Sequence, residues 1–399
     1  MTRSLDSRPT VPATAAPTAL RQRLAELRGP AAPRPLDARG LAALAANPGC
    51  RRRVLLDGAG VDKAALATAL GSPSSFGQSQ FAFVRGNSFE ARVKADGGRA
   101  LVRLLHERLR DGSPPPEPDA VDTPDLTASG PEGRTARTAL ALRDAAAGRW
   151  TLLDHPLLAL EVAGAPVCLE PDAVVVHPDG DWTVVEIKSF AMIDGAADAA
   201  KVGAAARQAA VYALALEGVA GHLADRGPAR VRPYVLLVCP KDFSNLPAAE
   251  LVDVRKQLAT TRRQLARLTH VEDIAAELPP GTTFDLRPAD DGRTPTRPVA
   301  ELTAAVDSVG AAYAPECLSA CELAFHCRAH SRARGAVEVL GRGVRGELGG
   351  LSTVEAVLAV AEGAAGEPDD PAVVALRRAA ALRAEALALS ATGTEAPCR

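Results

Sequence analysis

The chain has 399 residues, 47% of them apolar and only 3% aromatic, with a formal net charge of -2. Near-neutrality excludes a global basic field that would announce a nucleic-acid partner, so any DNA contact must come from a local patch or from metal ions at a carboxylate site. No run of about 18 uncharged apolar residues appears, which excludes a membrane-spanning helix. The N-terminus lacks a continuous apolar stretch after its basic residue and is a poor secretory signal. The expected address is the cytoplasm, with no membrane partner.

Residues 1–35 are rich in Pro, Ala and Thr and read as a disordered segment, with a short helix at 20–27. Helical patterning follows around LAALAAN and KAALATAL, with Cys50 between them in NPGCRRR. Residues 81–110 read as a helix or helix pair, opened by Arg85-Gly86-Asn87-Ser88-Phe89-Glu90, and the Pro- and Asp-rich residues 111–134 as an exposed loop insertion. A helix is predicted at 135–147. Strands then dominate: LLALEV, APVCL, AVVV and WTVVEI alternate short apolar runs with Gly, Pro and Asp turns, and HPDGD reads as a hairpin turn between 173–176 and 182–187. An Ala-rich helix is expected at 199–216, a strand at 231–238, a long charged helix at 246–268 and two helices between 352 and 390. This order fits an α/β fold with one mixed sheet flanked by helices.

Asp172 stands at the start of one predicted strand, and Glu186-Ile187-Lys188 at the end of the next. Side chains alternate faces along a strand, so Glu186 and Lys188 point one way and Ile187 the other. Antiparallel pairing across HPDGD brings Asp172 alongside them. Two carboxylates can hold Mg²⁺ or Mn²⁺ for phosphodiester hydrolysis, and an ammonium beside them can act on the attacking water or on transition-state charge. An ordinary hairpin surface also carries Asp, Glu and Lys, so this spacing alone is a weak signal. Two features add to it. Gln208 and Tyr212 lie four apart on one helix face, and Glu90 supplies a third carboxylate upstream.

With these residues in this order, the chain resembles the RecB-like branch of the PD-(D/E)XK nuclease superfamily, in particular CRISPR-adaptation and AddB-type nucleases with an iron–sulfur staple. The resemblance runs from about Cys50 to Cys327. It implies a restriction-endonuclease-like core with helical additions, and metal-dependent cleavage of DNA by exonuclease or end-processing action. It implies that Glu90, Asp172 and Glu186 hold the ion, that Lys188 is the catalytic lysine, and that Gln208 and Tyr212 line the DNA-facing side. Many stapled relatives carry His where this chain has Glu90. The implied domains are a nuclease domain at 36–346 and a helical tail at 347–399.

The seven cysteines include a compact triplet, Cys317-x₃-Cys321-x₅-Cys327. A thiolate-only site suits [4Fe–4S] or Zn²⁺, and the lack of any CxxC knuckle favours the cluster. The fourth ligand, Cys50, is implied by the resemblance. Cys168 and Cys239 read as core residues, Cys398 as part of a frayed end, and His326 and His330 as solvated, with zinc ligation their alternative. Arg51, Arg52 and Arg53, together with Arg328, Arg332, Arg334, Arg342 and Arg345, form a candidate phosphate-binding patch, or else a solvated surface. No Walker A motif appears, so ATP-driven unwinding falls to a partner, a helicase or another defence or repair subunit. Two other function classes remain: a catalytically silent DNA-binding or scaffold subunit, and a redox or iron sensor. The complete set Glu90, Asp172, Glu186 and Lys188 speaks against the silent subunit.

Overall fold

The computed structural model describes residues 16–73, 80–110, 112, 115–117, 121–145, 148–223, 230–242, 244–291 and 294–392. In chain order they form α1 (Ala16–Arg28), α2 (Ala38–Ala46), α3 (Arg51–Ala59), α4 (Lys63–Ala69), α5 (Gln80–Val93), α6 (Arg99–Leu109), β1 (Val121–Asp122) and α7 (Gly130–Asp144). Strands β2 (Trp150–Asp154), β3 (Leu158–Val162), β4 (Ala165–Leu169), β5 (Ala173–Val176) and β6 (Trp182–Ile187) follow, then α8 (Ala199–His222), β7 (Tyr234–Pro240), β8 (Pro247–Asp253), α9 (Arg255–Leu265), α10 (Val271–Ala276) and α11 (Val299–Asp307). The last elements are α12 (Ala324–Ala333), α13 (Arg342–Glu347), α14 (Val354–Ala361) and α15 (Pro371–Thr392). Contacts divide the chain into two units, Met1–Asp62 with Gly77–Gly310, and Lys63–Phe76 with Ala311–Arg399. The expected nuclease domain at 36–346 therefore draws on both. Among the described residues no helix is long and apolar enough to cross a membrane.

The first unit is built on a mixed six-stranded sheet of order β1-β2-β5-β6-β7-β8. β1 and β2 are parallel, β5 runs antiparallel to both β2 and β6, β6 and β7 are parallel, and β8 closes the edge antiparallel to β7. The β5–β6 hairpin turns as expected. Gly180 takes φ +86°, and the Asp179 carboxylate accepts the Asp181 amide at 3.0 Å, an Asx-type bond that fixes the reversal. Period-two alternation sorts the two faces. Val185, Ile187, Leu236 and Val238 pack with Phe89, Val93, Leu101 and Leu105 of α5 and α6. Leu237 and Cys239, pointing the other way, pack with Ala205 of α8. α8 starts where the Asp198 side chain accepts the Lys201 amide at 2.9 Å, a cap worth about 1 kcal/mol. Its buried alanines let it lie close to the sheet.

Several expectations need correction. Within 1–35, residues 1–15 lie outside the described residues, but 16–28 form α1, because Leu24 and Leu27 share one face and bury it. Glu90 is not at a helix start: Arg85 to Glu90 lie inside α5. Strand β2 had no clear signal in the sequence, and it is β2, not β3 or β4, that pairs with β5. β3 and β4 instead form a separate two-stranded ribbon. The helix expected at 246–268 begins only at Arg255, since its first third pairs with β7 as β8. Cys168 is exposed, not packed, because it faces outward on the ribbon, while Cys239 is fully buried as expected. Cys398 and parts of 111–134 lie outside the described residues.

The arginines beside Cys50 are not a solvated patch. Arg52 and Arg53 are buried. Arg52 pairs with Asp307 at 3.1 Å and Arg53 with Asp57 at 3.1 Å, while Arg51 meets Glu277 at 2.6 Å. A buried guanidinium committed to a carboxylate is not offered to phosphate, so Arg52 and Arg53 are structural, whereas the Arg51–Glu277 pair lies at the surface. In the second unit, Cys317 lies in a 3-10 turn and the Cys321 amide donates to its carbonyl at 2.8 Å. Cys327 follows in α12. His326 is buried, not solvated, and stacks on His330 with ring centroids 4.4 Å apart.

Candidate active site

The sheet register gathers three carboxylates at one end. Asp154 ends β2 opposite Ala173, and Ala173 in turn faces Val185 on β6. Asp172 and Glu186 therefore flank the same corner of the sheet. Asp172 is fixed by the Ile187 amide, which donates to its Oδ2 at 2.6 Å. Burial pushes the Asp172 carboxyl above the usual carboxylate range, against the pull of Lys188.

Glu186 is 1% exposed. Neither of its oxygens takes part in a well-directed hydrogen bond, although the Lys188 ammonium is paired with Oε1. Burial, only partly offset by Lys188 and reinforced by Asp172, pushes Glu186 up to about 8. Burial alone would depress Lys188, but the carboxylates facing it hold it above its ordinary value. Lys188 also donates to Gln208 Oε1 at 3.3 Å, and Gln208 Nε2 to the Tyr212 hydroxyl at 3.2 Å. The expected Gln208 and Tyr212 of α8 thus join the Glu186–Lys188 pair in one polar chain. Burial and the nearby Glu186 raise the Tyr212 phenol, so it stays a neutral donor.

Glu90 reaches this end of the sheet from α5. Lys94, one turn on, meets Glu90 Oε1 at 2.6 Å, and His155 Nε2 lies 3.0 Å from the same oxygen. Burial raises Glu90, but these two partners outweigh it and hold the carboxyl down to about 2. The hydrogen bond to Glu90 raises His155 in turn. Lys94 also contacts Asp154 Oδ1 at 2.7 Å and donates to the Asp172 carbonyl at 2.7 Å. Among the described residues, Glu90, Asp172 and Glu186 do not converge as three ligand atoms within 4.8 Å of one another. Lys94, Asp154 and His155 were missed because a Glu–Lys pair at i,i+4 reads as a solvated helix face. The available signal was DHP directly after a short apolar run.

Asp172 and Glu186 suit a hard divalent cation. Both are oxygen donors that a cation takes in their ionised form, and Glu186 lacks the well-directed hydrogen bonds a buried carboxylate normally collects.

No protein-family model matches the chain, and no curated protein matches it. Among solved structures, a crystal structure from Eubacterium rectale described as a "putative exonuclease" aligns with a TM-score of 0.29 and 11% identity, over 66% of this chain and 88% of that one.

Proposed function

We propose that the chain is a metal-dependent deoxyribonuclease of the PD-(D/E)XK type. The observation that carries this reading is the meeting of Asp172, the buried Glu186 and Lys188 at one sheet end, with Lys188 bonded to Gln208. Asp172 and Glu186 are the residues that would hold Mg²⁺ or Mn²⁺, with Glu90 completing the acidic set from α5. The ion, when bound, polarises the phosphate and lowers the pKa of the attacking water. Lys188 is placed to move a proton or offset charge at the attacking oxygen, and Gln208 orients its ammonium. DNA is the proposed substrate.

The test is cleavage of single- and double-stranded DNA with and without divalent metal. Asp172→Ala and Glu186→Ala are expected to abolish cleavage while the far-UV signal is kept. Cleavage that persists in EDTA, or at the wild-type rate in either variant, overturns the reading. A bound but uncut substrate in Mg²⁺ points to the silent DNA-binding subunit instead.

The second part of the proposal is a [4Fe–4S] cluster held by Cys50, Cys317, Cys321 and Cys327. The spacing of the triplet supports it. Iron content of anaerobically purified protein is expected to fall in each Cys→Ser variant at these positions, and to be unchanged for Cys168, Cys239 and Cys398. Zinc without iron in elemental analysis rejects the cluster.

A further inference from the structure

The β3–β4 ribbon stands apart from the six-stranded sheet. Its turn is tied to α10, where the Val271 amide donates to the Ala163 carbonyl at 3.0 Å. The ribbon, the end of α1, and parts of α2, α3 and α10 enclose a cavity of about 300 Å³, wholly within the first unit. None of Glu90, Asp172, Glu186 and Lys188 lines it. A volume of this size lies at the lower end of small-molecule sites.

The wall is mostly aliphatic, with Val54, Val162, Val167, Leu268 and Val271 facing one another across prolines. Among the described residues, no aromatic, Ser, Thr, Asn, Gln or His side chain lines it. Such a wall cannot pair the polar edges of a nucleobase or a sugar, but it suits a hydrocarbon chain. A cavity of about 150 Å³ takes benzene, with its six heavy atoms, so this one has room for on the order of ten to twelve.

Three charged side chains reach the wall. Asp57 is paired with Arg53 at 3.1 Å, and Arg34 with Asp62 at 2.7 Å. Arg28 differs from both. Its Nε donates to the Ala31 carbonyl at 2.7 Å and its Nη1 to the Ala59 carbonyl at 2.9 Å. Carbonyls fix the guanidinium without cancelling its charge. Among the described residues no carboxylate pairs with it. A guanidinium has five N–H donors, so three remain, enough to grip one carboxylate through two of them.

We propose that this cavity binds a medium-chain aliphatic monocarboxylate, its chain against the aliphatic wall and its head on Arg28. The proposal is independent of the nuclease reading.

Decanoate is the probe, used with the full chain. Cys168 lines the same cavity and is exposed, so its alkylation by N-ethylmaleimide, read from its own peptide by mass spectrometry, reports occupancy. Cys239, fully buried, reports unfolding in the same digest. Saturating decanoate is expected to slow alkylation of Cys168 by roughly fivefold or more while Cys239 stays unreactive. Half-protection is expected at a concentration about tenfold below that of 1-decanol, because only the acid engages the guanidinium, and further below that of decylamine. Arg28→Gln is expected to erase the difference between acid and alcohol, and Arg28→Lys to keep part of it. Three results overturn the proposal: decanoate that protects Cys168 only where Cys239 also reacts or not at all, decylamine that protects as well as decanoate, or a tenfold difference left intact in folded Arg28→Gln. Should Arg28→Gln not fold, the wild-type comparison of decanoate with decylamine decides.

Discussion

Glu186 shows how far single residues were legible. Its pairing with Lys188, and the approach of Asp172, follow from strand alternation and one hairpin, both local in sequence. Its burial does not, because that depends on α8 and on β7. Burial has a consequence that can be measured. A carboxyl raised from 4.5 to about 8 binds its proton more tightly in the folded than in the unfolded chain. Its contribution to stability is therefore full below about 4.5 and is lost as pH rises through about 8. A divalent ion takes the ionised form and must expel that proton. Mg²⁺ affinity, measured by calorimetry, is expected to climb between roughly pH 6 and 8, to level off above that, and to be accompanied by proton release. An affinity that is flat over this range rejects Glu186 as the proton-bearing ligand. Lys94, Asp154 and His155 were illegible for a different reason. Each is an ordinary surface residue by type, and only β2–β5 register and the turn after Asp154 bring them together.

The helices and strands that position the site were read with uneven success, and the misses share a cause. The hairpin carried Pro/Asp/Gly turn chemistry and was placed correctly, to the residue. The segment PAAELVD has the composition of a helix, yet forms β8, because β7 would otherwise leave its outer hydrogen bonds unmet. Tertiary pairing overrode propensity there. The junction between α5 and α6 depends on a similar long-range fit. Gly98 sits at φ +80°, and a Cβ at that position would fall 2.1 Å from Leu152 Cδ2 on β2. Gly98→Ala therefore meets both a left-handed backbone, which costs about 1–2 kcal/mol for a residue with a side chain, and overpacking of a buried leucine, about 1–3 kcal/mol. Urea unfolding is expected to show a loss of about 2–5 kcal/mol. A loss below about 0.5 kcal/mol means that Leu152 yields easily and that the glycine does not set the approach of α6 to the sheet.

At the scale of the whole chain, the interleaving of the two units is what the sequence hid. Residues 63–76 belong with the chain after Ala311, a grouping set by contacts far apart in sequence and not by composition. The proposed Mg²⁺ or Mn²⁺ ligands, by contrast, fall in the first unit. So do both tryptophans of the chain, Trp150 on β2 and Trp182 on β6, each buried in the six-stranded sheet. Tryptophan fluorescence thus reports the unfolding of the unit that carries the site, without a signal from the other. A ligand that binds only the folded state stabilises it by RT ln(1 + [L]/Kd), about 2.7 kcal/mol at a hundredfold excess over Kd. For a unit of this size that is on the order of 5 °C in Tm. Mg²⁺ at that excess is expected to raise the fluorescence-detected Tm of wild type by this amount, with EDTA reversing it. Asp172→Ala is expected to show no rise, since it lacks a ligand. If Mg²⁺ leaves the wild-type melt unmoved, or moves Asp172→Ala equally, the ion does not bind where the sheet brings Asp172 and Glu186 together.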